Sequence, residues 1–211
     1  TEFFTLYNCP VTYNLANRFR SGEMPLGVAS YATYNTLMVS APEIRGLWDF
    51  TLFPGTYDAD GTPNAMTAAW GGIYDTNQVM LCLAQDHLTT ENIRAVKDFT
   101  VSFATEKTVT AADFVGTESG RDLPDKVTAA GLHAEMSEHI YAPLFAEMPM
   151  TLECRLNHFT EDGIVVGDIL HTVADESVLT GNGDLDLEKL APVSFDPVNN
   201  VYRTACGRVV G

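Results

Sequence analysis

Apolar residues along this chain recur in short extended runs that are separated by glycine, proline, asparagine and aspartate. Residues 99–103, 150–158 and 163–172 hold the β-branched and aromatic residues that are typical of strands. Residues 79–84 are continuously apolar and predict a strand buried on both faces. Residues 202–210 predict a last strand. Many short strands with small helices between them favour a β-barrel core over repeated β–α–β units.

Short helices are predicted between these strands. Thr89-Thr90-Glu91-Asn92 opens a helix that runs to about Asp98, with Thr89 or Thr90 as the N-cap. Further short helices or turns are predicted at residues 111–115, 125–130 and 186–190. The fold class predicted is therefore mainly β with short helices.

The first part of the chain is harder to interpret than the rest. Prolines, glycines and asparagines break its aromatic and β-branched stretches, which fit either short strands or an arm that packs on a partner subunit. From residue 47 the strand signals sharpen. We therefore divide the 211 residues into an N-terminal extension, 1–46, and one domain, 47–211.

The charge of the chain narrows the range of its partners. It has 28 acidic and 12 basic residues, for a formal net charge of -16. Such a surface repels phosphate backbones and anionic lipids, so neither nucleic acid nor a membrane is an expected partner. No run reaches the ~18 apolar residues that a membrane span needs. The four cysteines form no CxxC pair, which predicts thiols in a reducing cytoplasm.

Two segments hold small or polar residues that suit a ligand. Residues 63–72 surround Thr67 and Trp70 with alanine and glycine, so that a flat ligand can approach the backbone. Periodicity alone favours the alternative, a tight barrel corner with Trp70 in the core. Residues 85–92 join a buried strand to a helix start, where unpaired N–H groups attract anions. His87, Thr89 and Asn92 add donors there, and an ordinary capping loop is the alternative.

A third segment, residues 116–126, is a polar loop that contains two cations, Arg121 and Lys126. In so acidic a protein these cations fit an anion site, or a solvated loop with local ion pairs. Lys126 is the better candidate for a phosphate because it opens a predicted helix, whereas Arg121 is expected to pair with Asp122 or to close over a bound ring.

Other chemistries find no support in the sequence. The histidines at 133, 139, 158 and 171 lack the HxxxH spacing of metal ligands, so no metal site is predicted. Residues 181–188 are acidic but fit no EF-hand loop. The chain has neither a GxSxG elbow nor a P-loop, and no catalytic side chain is predicted.

Several motifs, in order and at similar spacing, resemble the flavin-reductase-like family over residues 54–211. They are NAMTAAWGG, HxTTENI, FTVSF, AADFVGxxSGRDxPDK, LEC and IVVGDIL, and the flavoredoxin-type members are the most similar. The resemblance implies a homodimeric split β-barrel that binds flavin mononucleotide (FMN) near the subunit interface. It also implies the redox chemistry of that flavin.

The matching motifs imply a set of flavin-binding positions. Five residues would line the isoalloxazine ring, with Thr67 near its polar edge, and Trp70 would shield or support it; these five are Ala65, Met66, Thr67, Ala68 and Ala69. His87, Thr89 and Asn92 would approach the ribityl phosphate. The site would be closed by Ser119, Gly120, Arg121 and Lys126.

The chain departs from the family pattern in two places. Residues 52–54 lead straight into the turn at Asp58, where the family has a longer aliphatic run. Gln85-Asp86-His87 stands where many members carry a more basic strand end, which predicts a modest phosphate affinity.

Three functions are compatible with these residues. The first is an enzyme that passes electrons from NADH or NADPH through FMN to an acceptor. The second is a flavoredoxin-type carrier that takes electrons from a protein donor, which an acidic surface favours slightly because it suits a basic redox partner. The third is a flavin-binding module without turnover.

Overall fold

The structure, a computed structural model, describes residues 51–204 except Ala69 and residues 197–198. The N-terminal extension, Cys9, Cys206 and most of the last predicted strand lie outside the described residues, so the division at residue 47 stays a prediction. The strands are β1 (Leu52–Tyr57), β2 (Pro63–Ala65), β3 (Gly71–Asp75), β4 (Gln78–Leu81), β5 (Asp98–Phe103), β6 (Ala134–Met136), β7 (Pro143–Phe145), β8 (Met150–Phe159), β9 (Val165–Ala174), β10 (Val193–Asp196) and β11 (Val201–Thr204). The helices are α1 (Leu88–Val96), α2 (Val109–Thr117), α3 (Lys126–Ala129) and α4 (Leu187–Leu190), with a 3-10 turn at Glu176–Val178.

Seven of the strands form one antiparallel sheet in the order β2-β1-β5-β8-β9-β4-β3. Two hairpins, β6–β7 and β10–β11, stand apart from it. The mainly-β fold with short helices is therefore confirmed. None of the helices in the described part of the chain is long and apolar enough to cross a membrane.

The two edges of the sheet are brought together by consecutive segments of the chain. After β2 the chain remains hydrogen-bonded to β1, since Leu52 and Ala68 exchange backbone hydrogen bonds of 3.2 and 2.8 Å. It then crosses to β4, where the Cys82 N–H donates to the carbonyl of Trp70 at 3.0 Å. At this crossing a side chain on Gly71 would lie 2.7 Å from the backbone carbonyl oxygen of Met80, so only glycine fits. Residues 63–75 thus curl the sheet into a barrel.

The core has two parts, one on each face of the sheet. The barrel interior is filled by alternate residues of the strands, among them Leu81, Phe99, Val101, Leu152 and Val165. On the outer face α2, α3 and the β6–β7 hairpin cover a second cluster built around Phe53 and Phe145, whose rings pack edge to face at 5.3 Å. This outer layer places α2 and α3 beside β2.

Some sequence predictions need correction. Residues 79–84 do not form a strand buried on both faces, because β4 ends at Leu81 and burial alternates along it. Neither Thr89 nor Thr90 is an N-cap. Both lie inside α1, which follows His87 and ends at Val96, before Lys97 in the left-handed conformation (φ 74°). Strands β5, β8 and β9 lie close to where they were predicted, and α2 and α3 as well.

Candidate functional site

A cavity of about 340 Å³ lies where β2, the start of α1 and the loop between α2 and α3 meet. The three segments that the sequence analysis identified as suited to a ligand converge here, although Met66 and Lys126 are 60 positions apart in the sequence. Seven of the predicted site residues line the cavity: Met66, His87, Thr89, Ser119, Gly120, Arg121 and Lys126. Because polar groups converge in it from several elements, this cavity is the candidate binding site.

The amino end of helix α1 opens into this cavity. Its N-cap residue is His87, in extended conformation, and no side chain caps the helix. Leu88 and Thr89, in the first turn, both line the cavity. The N–H groups of a first turn have no partner within the helix, and the helix dipole places partial positive charge there. An anion is therefore favoured at this end of the cavity.

Asn64 and Thr89 form a buried polar pair beside the helix start. The Asn64 amide donates to the Thr89 hydroxyl at 2.8 Å. The hydroxyl thus accepts from Asn64 and keeps its own proton to donate. The Asn64 carbonyl oxygen is buried and has no hydrogen-bond partner among the described residues. A ligand that offers a hydroxyl would satisfy this oxygen. The sequence did not single out Asn64, although it belongs to the motif that supplied Met66.

Two glycines, one near the end of α2 and one in the loop before α3, let the backbone approach the other walls closely. A side chain on Gly120 would lie 2.6 Å from the Asn64 carbonyl oxygen and 2.8 Å from Leu88. One on Gly116 would lie 2.9 Å from Thr67. A larger residue at either position would push against a neighbouring side chain, and at position 120 it would fill space beside the Asn64 oxygen.

Lys126 is a buried cation on the cavity wall. It begins α3, and its side chain is turned inward so that Nζ donates to the carbonyls of Val115 and Glu118 at 2.9 and 2.8 Å. Burial lowers the pKa of Lys126 to about 8, while the Glu118 carboxylate acts in the opposite direction. An ammonium has three N–H donors, so one remains for a ligand.

Arg121 contacts residues of α1 and of the segment before it, and not Asp122. Its guanidinium contacts the Glu91 carboxylate at 2.6 Å and donates to the carbonyl of Asp86 at 3.1 Å. Of the two alternatives predicted for Arg121, pairing with Asp122 is therefore wrong, while closure over a bound ring stays a prediction. This ion pair is about half exposed and ties the loop to α1 at the mouth of the cavity. Ser119 supports the same loop, because its hydroxyl accepts from the Arg121 N–H at 3.2 Å.

The segment predicted to lie along a flavin ring is only partly in the cavity. Met66 lines it, and Thr67 lies beside Gly116 and donates to the carbonyl of Ala112 at 2.5 Å. Ala65 and Ala68 are buried in the two cores and do not line it. Trp70 is 37% exposed, so it is not a core residue. Ala69 lies outside the described residues.

Asn92 also points away from the cavity. Its amide donates to the Thr56 hydroxyl at 3.1 Å, and this buried contact holds α1 against β1. Asn92 therefore positions the helix whose amino end opens into the cavity.

A larger cavity, of about 630 Å³, lies between α2 and α3. Ala111, Phe114 and Leu132 give it a mostly apolar wall, and none of the predicted site residues lines it. Its polar lining residues are Lys107, Thr108, Thr110 and Glu147.

The first cavity fits the phosphate and sugar-like chain of a flavin nucleotide. The uncapped start of α1, the Thr89 hydroxyl and the Lys126 ammonium supply donors for a phosphate. The unpaired Asn64 oxygen suits a ribityl hydroxyl. Asp86 and Glu118 also line the cavity and oppose an anion, so the fit depends on these local donors.

Comparison with known proteins identifies similar domains. The family model described as "Flavin reductase like domain" matches residues 51–185. The solved structure of flavoredoxin from Desulfovibrio vulgaris (Miyazaki F) superposes with a TM-score of 0.73 at 35% identity, over 77% of this chain and 89% of that one.

Two further relatives extend the comparison. An FMN-binding domain of a flavin reductase-like enzyme from Shewanella baltica shares the fold, with a TM-score of 0.66 and 17% identity over 79% of this chain and 91% of that one. An uncharacterised protein from Aeropyrum pernix is 28% identical in an alignment of 166 positions that covers 72% of this chain. The match spans 62% of that protein's length.

Proposed function

The chain belongs to the flavin reductase-like family, a family of flavin-dependent oxidoreductases with a split β-barrel fold, and from this membership we propose that it binds FMN and passes electrons through it. The phosphate and ribityl chain would occupy the cavity between β2, α1 and the loop before α3. The ring would lie towards Met66, Thr67 and Trp70.

One observation carries this proposal. The uncapped start of α1, the Thr89 hydroxyl and the Lys126 ammonium converge on a single cavity in a protein whose net charge is -16. These donors offer local positive charge to an anion in spite of the negative field of the whole protein and of the nearby carboxylates of Asp86 and Glu118. A phosphate gives them a common partner, and a single phosphate suits this one anion site better than a pyrophosphate does.

The protein's part in the reaction would be to hold and orient the cofactor. Bound flavin supplies the redox chemistry, since it accepts electrons from a donor and passes them to an acceptor. Asn64, Thr89 and Lys126 would fix one end of the ligand. Thr67, held on α2 by its hydrogen bond to Ala112, would fix the backbone along the ring. No side chain is proposed as a general acid or base.

We infer that NADH or NADPH is the electron donor. The family membership supports a reductase, and a flavin held by one end leaves a ring face for a nicotinamide. Anaerobic stopped-flow mixing of the FMN-loaded protein with NADH and with NADPH tests this. Rapid bleaching of the flavin absorbance by either nucleotide is expected.

A flavoredoxin-type electron carrier is the second candidate. The 35% identity to a flavoredoxin and the acidic surface favour it, because a negative surface attracts a basic redox partner. If neither NADH nor NADPH bleaches the bound flavin while a chemical reductant still does, the protein is a carrier of this type and not a reductase.

We also propose a cytoplasmic homodimer. Aromatic residues in the N-terminal extension and exposed side chains on β3, such as Ile73 (69% exposed), are costly to leave in water, and a second subunit would cover them. Light scattering at micromolar concentration tests the dimer, and a monomer would contradict it.

Titration of the full chain with FMN, FAD and riboflavin tests the binding proposal directly. FMN is expected to bind most tightly, because riboflavin lacks the phosphate and FAD adds a second phosphate and an adenosine. Tighter binding of FAD, or equal binding of riboflavin, would overturn the assignment of the cavity to a single phosphate.

A further inference from the structure

Two histidines and one glutamate meet outside the flavin cavity. The potential ligand atoms of His139, Glu153 and His171 all lie within 4.8 Å of one another. None of the three residues lines either of the two cavities described above. The linear sequence does not reveal this cluster, because its members are 14 and 18 positions apart.

Strand pairing places two of these residues together. Glu153 of β8 and His171 of β9 are direct cross-strand partners, so both side chains stand on the same face of the sheet. The third residue, His139, comes from the loop between β6 and β7, which lies over that face.

The loop that carries His139 is fixed at several points. The Ser137 hydroxyl donates to one oxygen of Glu153 and accepts from the backbone N–H of His139 at 2.9 Å. The Tyr141 N–H donates to the Asp98 carboxylate at 3.0 Å. The imidazoles of His139 and His171 stack with centroids 4.1 Å apart. The three groups are therefore held near one another before any ligand binds.

Glu153 is an unusual residue to find at this position. Its side chain is fully buried, and while one carboxylate oxygen meets Ser137, the other has no hydrogen-bond partner among the described residues. Burying a carboxylate oxygen without a donor or a cation is costly. A positive ion at this point would satisfy the unpaired oxygen.

We propose that His139, Glu153 and His171 bind a divalent transition-metal ion of the zinc class. Two imidazole nitrogens and one carboxylate oxygen are the donors that such ions prefer, whereas Ca²⁺ and Mg²⁺ favour all-oxygen sites. Both histidines are exposed, so the ion can enter from solvent and keep water at its remaining position. Binding would tie the β6–β7 loop to the sheet and stabilise the fold.

Calorimetric titration of the chelator-treated full chain with Zn²⁺ tests the site. About one ion per chain should bind, and the ion should raise the melting temperature. His139→Ala and His171→Ala should each weaken Zn²⁺ binding at least about 100-fold. Mutation of residues that only hydrogen-bond to a metal ligand already lowers metal affinity about 10- to 100-fold, and these two residues would be ligands themselves. Both positions are exposed, so these variants are expected to fold. Flavin titration of the same variants should give the wild-type FMN affinity.

The matched control is His133→Ala. His133 is also exposed and contacts a carboxylate, that of Glu147, at 2.6 Å, but it lies outside the cluster. It should bind Zn²⁺ as the wild type does. The proposal is overturned if the wild type binds no Zn²⁺, if both cluster variants retain wild-type affinity, or if His133→Ala weakens binding as much as they do.

Discussion

Asn64 and Thr89 are joined by a buried hydrogen bond of 2.8 Å across 25 positions of sequence. The direction of this bond matters for the site. Because the amide of Asn64 is the donor, the hydroxyl proton of Thr89 is left for a ligand, and the Asn64 carbonyl oxygen is left without a donor. The pair thus presents one donor and one acceptor, which matches a phosphate next to a hydroxyl.

Replacing Thr89 by Val should weaken FMN binding by about 1–2 kcal/mol, roughly the worth of one charge-assisted hydrogen bond. The change keeps the side-chain volume but removes the hydroxyl. It also leaves the Asn64 amide unpaired, so a loss of about 1–3 kcal/mol in the free energy of unfolding is expected as well. Flavin titration and denaturant unfolding measure the two effects separately.

Thr90→Val is the matched control for that variant. Thr90 is the next residue of α1 and is equally buried, but its hydroxyl donates to the carbonyl of Ala84 at 2.8 Å and does not line the cavity. Its loss should lower stability and leave FMN affinity unchanged. An equal loss of affinity in both variants would assign the effect of Thr89 to helix stability.

Gly120→Ala should weaken FMN binding about tenfold or more. The added methyl would lie 2.6 Å from the Asn64 carbonyl oxygen and 2.8 Å from Leu88, so one wall of the cavity must move. Overpacking of this kind costs about 1–3 kcal/mol. Gly181→Ala, where the methyl meets nothing within 4 Å, is the control and should behave as wild type. Unchanged FMN affinity in Gly120→Ala would place the ligand elsewhere.

The sequence predicted the strands well where patterns are local. Residues 99–103 and 150–158 alternate or carry β-branched residues, and β5 and β8 form there. It predicted β4 less well, because a continuous apolar run does not reveal that Met80 and Cys82 would be only half-buried. Which residues face solvent depends on what the rest of the chain covers.

The site was predictable by segment but not by orientation. All three candidate segments contribute to one cavity, yet Asn92 turns to Thr56 and Arg121 to Glu91. A helix start can be read from nearby residues, whereas the partner of a long side chain depends on elements far away in sequence. For the same reason Asn64 was missed, since its partner on α1 becomes visible only in the folded chain.

Glu91→Gln should strengthen FMN binding modestly, and Arg121→Gln should weaken it. The Glu91 carboxylate holds the Arg121 guanidinium at 2.6 Å, so removing the acid frees the cation and lowers the negative charge at the cavity mouth. Both effects should shrink at high salt, because exposed charges are screened over ~8–10 Å at moderate ionic strength. Titrations at low and high salt measure this. Salt-independent changes would show that Arg121 acts by shaping the loop.

Removing Arg121 and Lys126 together should weaken FMN binding more than either single change. Each cation opposes the negative field of the whole protein at the same cavity, which both residues line. The variants Arg121→Gln, Lys126→Gln and their combination give the comparison by flavin titration. Wild-type affinity in the double variant would make residues 116–126 a mere connection between α2 and α3.

The lowered pKa of buried Lys126 makes both the stability of the fold and the affinity for FMN depend on pH. Burial lowers its pKa from 10.5 to about 8 in the folded chain. The unfolded chain therefore keeps this proton up to higher pH. Below about pH 8 the buried charge costs stability, and this cost is relieved as pH rises from about 8 towards 10.5. Binding of a phosphate should favour the protonated lysine and raise its pKa.

FMN affinity should consequently fall as pH rises through about 8, since the unliganded protein loses the Lys126 proton there and must regain it to hold the phosphate. Flavin titrations between pH 6.5 and pH 9.5, roughly spanning this pKa, measure the slope. Riboflavin, which has the same ring and no phosphate, is the ligand control and should lack the component assigned to Lys126. In Lys126→Met, the affinities for FMN and for riboflavin should change with pH in the same way. This comparison holds even if the variant is less stable because the Val115 and Glu118 carbonyls have lost the ammonium that they accept from. An FMN slope equal to that of riboflavin in the wild type would mean that Lys126 only braces the loop.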